Sequence, residues 1–190
     1  MKHEKQKILA AFDLETSGLD PAVHDIIEIA IVPLNPDFKR SDLPEFTARI
    51  KAVQPENADP ESLKISGLNP FEGEDIQKVA TDITKWMSDN HIERIKAVGH
   101  NLRFDLDFFQ IKFPSLFRIF SSHCHDSMQL AIIINDISLL QTGKKLFPSV
   151  SLRNLKLQLG MEDPVQHRAK DDALDAAKLY RRLQTKLIIN

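Results

Sequence analysis

Three β-compatible apolar segments follow one another in the first third of this chain, and after them strand-like and helix-like segments alternate to the end. Ile8 to Leu14 reads as a strand closed by the turn residues Ser17-Gly18-Leu19-Asp20-Pro21. Asp25 to Pro33 and Glu45 to Val53 read as a second and a third, and the three fit a meander at one side of a sheet. Asn57 to Pro70, rich in Pro, Asn and Asp, reads as loop or short turns. Asp75 to Ser88 has helical spacing, with Ile76, Val79, Ile83, Trp86 and Met87 on one face. Ile95 to Gly99 is a short buried strand, Leu102 to Phe113 a helix, Phe120 to Cys124 a strand, and Ser127 to about Leu140 a helix. Gln141 to Ser149 is an exposed loop, and Leu152 to Leu159 and Lys170 to Leu187 are helices. Strands first, then strands alternating with helices, predict an α/β domain with a mixed central β-sheet flanked by helices. At 190 residues the expectation is one domain spanning 1–190.

Composition removes several classes of function. A net charge of −2 with pI near 6.4 excludes a nucleic-acid binder that works by bulk positive charge. The single cysteine, Cys124, excludes an internal disulfide framework and a Cys-rich zinc site, and fits a reducing, cytoplasmic setting. Apolar runs such as Leu130 to Ile134 fall far short of the roughly 18 to 20 residues that cross a bilayer. The N-terminal apolar segment stops at Phe12, too short for a signal sequence.

The chemistry lies in carboxylates at places where packing alone would not put them. Asp13 and Glu15 end the first strand and, two apart, point to the same face. Two like charges side by side repel unless a cation lies between them. An Asp-x-Glu triplet arises about once by chance in this composition, and Asp59-Pro60-Glu61 is a second copy, read as a solvated turn. On the helix from Leu102, Asp105 shares the apolar side with Leu102 and Phe109, whereas Asp107 lies with Arg103 and Gln110 on the wet side. On the last helix Asp172 falls in the line of Ala169, Ala173, Ala176 and Leu179, while Asp171 and Asp175 fall on the solvent face. If both were helical, His167 and Asp172 would lie about 140° apart, so His167 converges with Asp172 only from a preceding loop. Four acids, Asp13, Glu15, Asp105 and Asp172, thus face inward from three elements with a histidine nearby. Oxygen ligands of this kind suit Mg²⁺ or Mn²⁺ rather than zinc. Two such ions clamp the attacking and leaving oxygens of a phosphodiester, and His167 suits the removal of a proton from water.

In these residues the chain resembles the DEDD superfamily of 3′-to-5′ exonucleases, in its histidine-containing branch. The first motif corresponds to Phe12-Asp13-Leu14-Glu15-Thr16-Ser17-Gly18-Leu19, the second to Ala97 through Asp105, and the third to His167 through Asp172. The resemblance covers nearly the whole chain and implies a ribonuclease-H-like fold that releases nucleoside 5′-monophosphates from a 3′ end. It implies that Asp13, Glu15 and Asp172 hold the ion that activates the attacking water. Asp13 would bridge to a second ion that Asp105 contacts through water, and His167 would be the general base. It also puts the backbone near Thr16 against the terminal nucleotide. Asn101 is either a brace of the active site or the N-cap of its helix.

Proofreading subunits of bacterial replicases and stand-alone exonucleases look most similar, so a DNA polymerase subunit is a candidate partner and single-stranded DNA 3′ ends the favoured substrate. Oligoribonucleases share the motifs, which leaves RNA open. A silent member of the fold that binds nucleic acid or protein is the alternative of a different class. The chain stops at Asn190, after the last helix, which favours a stand-alone enzyme or a single-domain piece. His100, His123 and His125 read as packing or surface residues, and Phe104, Phe108 and Phe109 as core. Lys144-Lys145, on a loop, is better placed for phosphate contact than Arg181-Arg182.

Overall fold

The computed structural model describes residues 5–161 and 168–188. Its sheet has five strands in the order β3-β2-β1-β4-β5. β1 (Gln6–Thr16), β2 (Ile26–Leu34) and β3 (Phe46–Arg49) form the antiparallel meander expected from the sequence. β4 (Ile92–Gly99) pairs parallel to β1 on its other side, and the two-residue β5 (His125–Asp126) pairs parallel to β4. The sheet is therefore mixed, and its order branches on either side of β1. In open α/β sheets the crevice at such a branch, beyond the carboxyl ends of the parallel strands, is where ligands bind.

The period-two alternation of β1 sorts its side chains onto two layers. Ile8, Ala10, Phe12 and Leu14 pack with α2 (Ile76–Asp89) and α3 (Leu102–Lys112), through Val79, Ile83, Trp86, Phe108 and Phe109. The Phe12 ring meets Phe109 edge-on at 6.0 Å and Phe120 at 4.6 Å, a geometry aromatic quadrupoles favour. The opposite face of β1 carries Leu9, Ala11, Asp13 and Glu15, and Ala11 packs there with Ala173 and Ala177 of α6 (Ala169–Ile188). Small residues at 173 and 177 let α6 lie close to the sheet. Further along, Leu179 and Leu183 of α6 pack against α4 (Ser127–Thr142) and α5 (Leu152–Gln158).

Three elements differ from the sequence expectation. The segment 57–70 contains a short helix, α1 (Pro60–Ser66), so it is not all loop. Asp59 is its N-cap, accepting from Glu61 N and Ser62 N, and Gly67 ends it at φ 65°. Asp59-Pro60-Glu61 is thus a helix start, with Pro in the first turn where its missing N–H costs nothing. The expected strand at Phe120 to Cys124 is reduced to one bridge between Ile95 and Phe120, and the β5 pairing falls later, at His125–Asp126. Asp175 is not on a solvent face. Its side chain is 14% exposed, with its Oδ2 2.5 Å from Nζ of Lys156, a buried lysine of α5.

Gly99 sets how closely β4, β1 and α3 approach. A Cβ there would lie 2.8 Å from the Phe12 carbonyl oxygen and 2.5 Å from Leu102 Cδ2. Gly99→Ala is expected to destabilise the fold by about 1–3 kcal/mol through this overpacking, read as a fall in Tm with an unchanged far-UV spectrum. No helix among the described residues is long and apolar enough to cross a membrane.

Candidate active site

At the carboxyl end of β1 the oxygens of Asp13, Glu15 and Asp172 come within 4.8 Å of one another. Strand alternation supplies the first two and helical phase the third, as the sequence predicted. Asp105 joins from α3. It is 3% exposed, and its Oδ1 accepts the backbone N–H of Leu14, the residue between Asp13 and Glu15, at 3.1 Å. That bond ties α3 to the strand end and turns a carboxylate toward the cluster. His167 lies outside the described residues.

Burial and mutual repulsion load this cluster. Asp13 is held well above the usual carboxylate range by desolvation, then by Asp105, Glu15, Asp172 and Glu28. Asp105 is raised chiefly by burial, which the Leu14 N–H partly opposes. Glu15 is pushed up to about 7 by burial, with Asp172 and Glu28 adding to it and Arg168 opposing. Oxygen donors alone, packed this tightly, are a donor set for a hard divalent cation. Asp13, Glu15 and Asp172 would hold it, and its charge would supply what the raised proton affinities now register as missing.

A pH dependence follows. Glu15 binds its proton more tightly folded, at about 7, than at its ordinary 4.5. Between those values the folded state holds more protons than the unfolded one, so stability falls as pH rises. In EDTA, the stability contributed by this group is greatest at and below about pH 4.5, so Tm is expected to decline as pH rises from there through about 7. Mn²⁺ competes with the same proton, so its stabilising shift should grow over the same window. Thermal melts from pH 5 to 8, with Mn²⁺ or EDTA, check both slopes.

A fifth carboxylate, Glu28, is one the sequence reading passed over. It lies directly across from Glu15 in the β1–β2 register and is 6% exposed. Both its oxygens accept from Arg168 Nε at 3.1 Å, Oε1 also accepts from Arg168 Nη2 at 2.5 Å, and Oε2 accepts Ala169 N at 3.0 Å. Glu28 therefore caps the start of α6, one turn before Asp172, and fixes that turn against the sheet. The signal was available: β2 is buried along its whole length, where an unpaired glutamate would be costly.

Asn101 does not cap α3 with its side chain. It takes the left-handed conformation, φ 60° and ψ 43°, and the capping acceptor comes from Asp126. The Asp126 carboxylate accepts Asn101 N at 3.1 Å and Leu102 N at 2.9 Å, and also Met128 N and Gln129 N at the start of α4. The Asn101 side chain stays exposed beside the site. Thr16 Oγ1 donates to Gly18 O at 2.7 Å, closing the turn after β1. His100 Nδ1 lies 2.9 Å from Ser127 Oγ, and His125 Nδ1 3.0 Å from the Tyr180 hydroxyl, both packing roles, while His123 is exposed. Phe108 and Phe109 are fully buried and Phe104 partly so.

Residues 10–180 match the profile of a protein family described as Exonuclease (RNase T). Among solved structures, Escherichia coli exonuclease I in complex with a dT13 oligonucleotide aligns with TM-score 0.74 at 20% identity, over 96% of this chain and 43% of that one. The zinc-bound E. coli exonuclease I complex with single-stranded DNA aligns with TM-score 0.73 at 20% identity, over 95% and 41%. Exonuclease I of Methylocaldum szegediense aligns with TM-score 0.75 at 18% identity, over 97% and 42%. At such identities the likeness establishes the fold, which is the α/β, ribonuclease-H-like one. The chain spans about two fifths of the length of these structures.

Proposed function

The chain belongs to the exonuclease family, within the DEDD superfamily of 3′-to-5′ exonucleases, and from that premise we propose that it hydrolyses the terminal phosphodiester of nucleic-acid 3′ ends as a single exonuclease domain. Single-stranded DNA is the favoured substrate, as in the exonuclease I complexes with oligonucleotides, and short RNA is the second. The observation that carries this reading is the convergence of Asp13, Glu15 and Asp172 within 4.8 Å, with Asp105 buried beside them.

Two divalent ions, Mg²⁺ or Mn²⁺, would neutralise these carboxylates and stabilise charge on the attacking and leaving oxygens. In this assignment Glu15 and Asp172 stand on the side of the attacking water, Asp105 on the side of the leaving oxygen, and Asp13 between them. His167, in the position of the histidine branch, takes the proton from water as its oxygen bonds to phosphorus. The bond from phosphorus to the 3′-oxygen of the preceding nucleotide breaks. A nucleoside 5′-monophosphate leaves, and the 3′-oxygen released on the shortened strand takes a proton from solvent to become its new 3′-hydroxyl. Leu14 N–H and the Glu28–Arg168 pair hold Asp105 and the first turn of α6 in place, so positions are set before substrate arrives. The turn after Thr16 and the exposed Asn101 side chain flank the cluster and would contact the terminal nucleotide.

The test incubates the protein with 5′-labelled DNA and RNA oligonucleotides in Mg²⁺, Mn²⁺ or EDTA. A ladder shortening from the 3′ end in metal and absent in EDTA is the expected result, with His167→Ala slower by about 10²–10⁴. Binding to both polymers with no shortening of either would leave a nucleic-acid-binding module in its place.

A further inference from the structure

Two clefts lie along one flank of α6, between that helix and the β2–β3 side of the sheet. The first, about 490 Å³, is lined by Glu28, Thr47, Arg49, Arg168, Lys170 and Asp171, among others, and so opens directly beside the carboxylate cluster. The second, about 920 Å³, is lined by Arg40, Lys178, Arg181 and Arg182, with Phe38 and Asp175. Arg168, Asp171, Asp175, Lys178 and Arg182 recur every three or four residues, which places them on one stripe of the helix. Glu45 joins the two clefts, bonding Arg40 of one at 2.7 Å and Lys170 of the other at 2.5 Å. The two clefts are thus neighbours along α6 and are treated together as one groove. From Arg168 to Arg182 it runs about 21 Å at the rise of an α-helix.

The groove is cationic in a chain whose net charge is −2. Five basic side chains line the larger cleft and three the smaller, against three acidic lining residues and Glu45 between the clefts. Lys178 and Arg40 are themselves more than half exposed, so an anion can reach them beside their partners Asp175 and Glu45. At the catalytic end, Arg49 Nε is buried with no hydrogen-bond partner among the described residues. Arg49 lies across from Glu28 in register, so the row Glu15, Glu28, Arg49 leads out of the cluster into the groove.

We propose that this groove binds the sugar-phosphate backbone of a nucleic-acid strand other than the one being cut, namely the complementary strand of a duplex with a single-stranded 3′ tail. The inference rests on the function proposed above. There the leaving oxygen, and with it the rest of the cut strand, lies on the Asp105 side, over α3. The groove opens on the other side, beyond Glu15 and Asp172, where the cut strand does not run. A stripe of that length spans several phosphates at 3.4 Å of rise each along one strand.

The test uses Lys178→Glu/Arg181→Glu, two exposed positions far from the carboxylates, with Lys178→Gln/Arg181→Gln as the milder pair and a thermal melt for each. Fluorescence anisotropy in EDTA compares a 3′-tailed DNA duplex with the tail strand alone, over a salt series. Affinity for the tailed duplex should fall at least about tenfold in the charge-reversed protein, and the slope of log affinity against log salt should become shallower by about 2. Affinity for the tail strand, and metal-dependent hydrolysis of a p-nitrophenyl ester of thymidine 5′-monophosphate, should stay within about twofold, because neither occupies the groove. Unchanged duplex affinity and slope would overturn the proposal, and so would an equal loss on the single strand, which would assign the groove to the cut strand. If the duplex effect appears while the unsubstituted protein hydrolyses neither ester nor strand, the groove stands and the catalytic reading falls.

Discussion

Asp13→Asn is expected to lower kcat by about 10³ or more while making the metal-free protein more stable. The loss follows from the position of Asp13, the central carboxylate of the cluster, facing Asp105, Glu15 and Asp172 at once. Several kcal/mol of stabilisation of transition-state charge is at stake there, and each 1.36 kcal/mol is about tenfold in rate. The gain follows from the same surroundings. Without metal, keeping the Asp13 carboxylate ionised in a desolvated site among like charges costs stability increasingly as pH rises, and an amide of the same shape removes the charge while keeping the volume. A gain of about 1–3 kcal/mol, the scale of a buried polar group in need of a partner, corresponds to a rise of roughly 3–8 °C in Tm for a domain of this size. The sign inverts in saturating Mn²⁺, since a cation bound to the native state stabilises only a protein that can hold it. The gain also fades toward acid pH, where protonation already removes the charge. Melts in EDTA and in Mn²⁺, set beside single-turnover rates, read the two effects together.

Asp126→Ala is expected to be the most destabilising single change near the site that leaves every cluster carboxylate in place. One carboxylate there accepts the first N–H groups of both α3 and α4, four donors in all. A lost N-cap costs about 1 kcal/mol and up to 2. Two caps lost together therefore cost about 2–4 kcal/mol, or roughly 5–12 °C in Tm. Asn101 adds to this, because its left-handed backbone is held by the same acceptor. Since α3 carries Asp105, Mn²⁺ affinity should fall as well. Asp126→Asn keeps one acceptor oxygen and should recover about half of the stability. Urea denaturation with Mn²⁺ titration of both variants decides the matter, and a variant that melts like the unsubstituted protein would contradict it.

How much of this was legible beforehand depends on whether each feature is local in sequence. Asp13 and Glu15 were found by the period of a strand, and Asp105 and Asp172 by the phase of a helix, because a carboxylate in an apolar line is an anomaly that needs only its neighbours to be seen. Glu28 carries the same anomaly in β2, yet the strand reading of Asp25 to Pro33 assigns it no role. Asp175 was misassigned because its partner, Lys156, is 19 residues away and no local pattern announces the pair. Asn101 has the composition of a cap, but the acceptor that caps its helix comes from Asp126, on the neighbouring strand β5. The helix α1 was signalled by Asp59-Pro60 at its start and Gly67 at its end, and was obscured by the Pro-rich stretch around it. The β5 pairing depends on where the chain returns after α3, which apolar content at Phe120 does not reveal.

The most direct measurement is hydrolysis of an oligonucleotide in H₂¹⁸O with Mg²⁺, with mass spectrometry of the products. If water attacks the phosphorus of the terminal phosphodiester and expels the 3′-oxygen of the preceding nucleotide, the released nucleoside 5′-monophosphate carries one ¹⁸O on its phosphate and the remaining strand carries none. Nucleoside 3′-phosphates, label on the shortened strand, or product formed equally in EDTA would contradict the account.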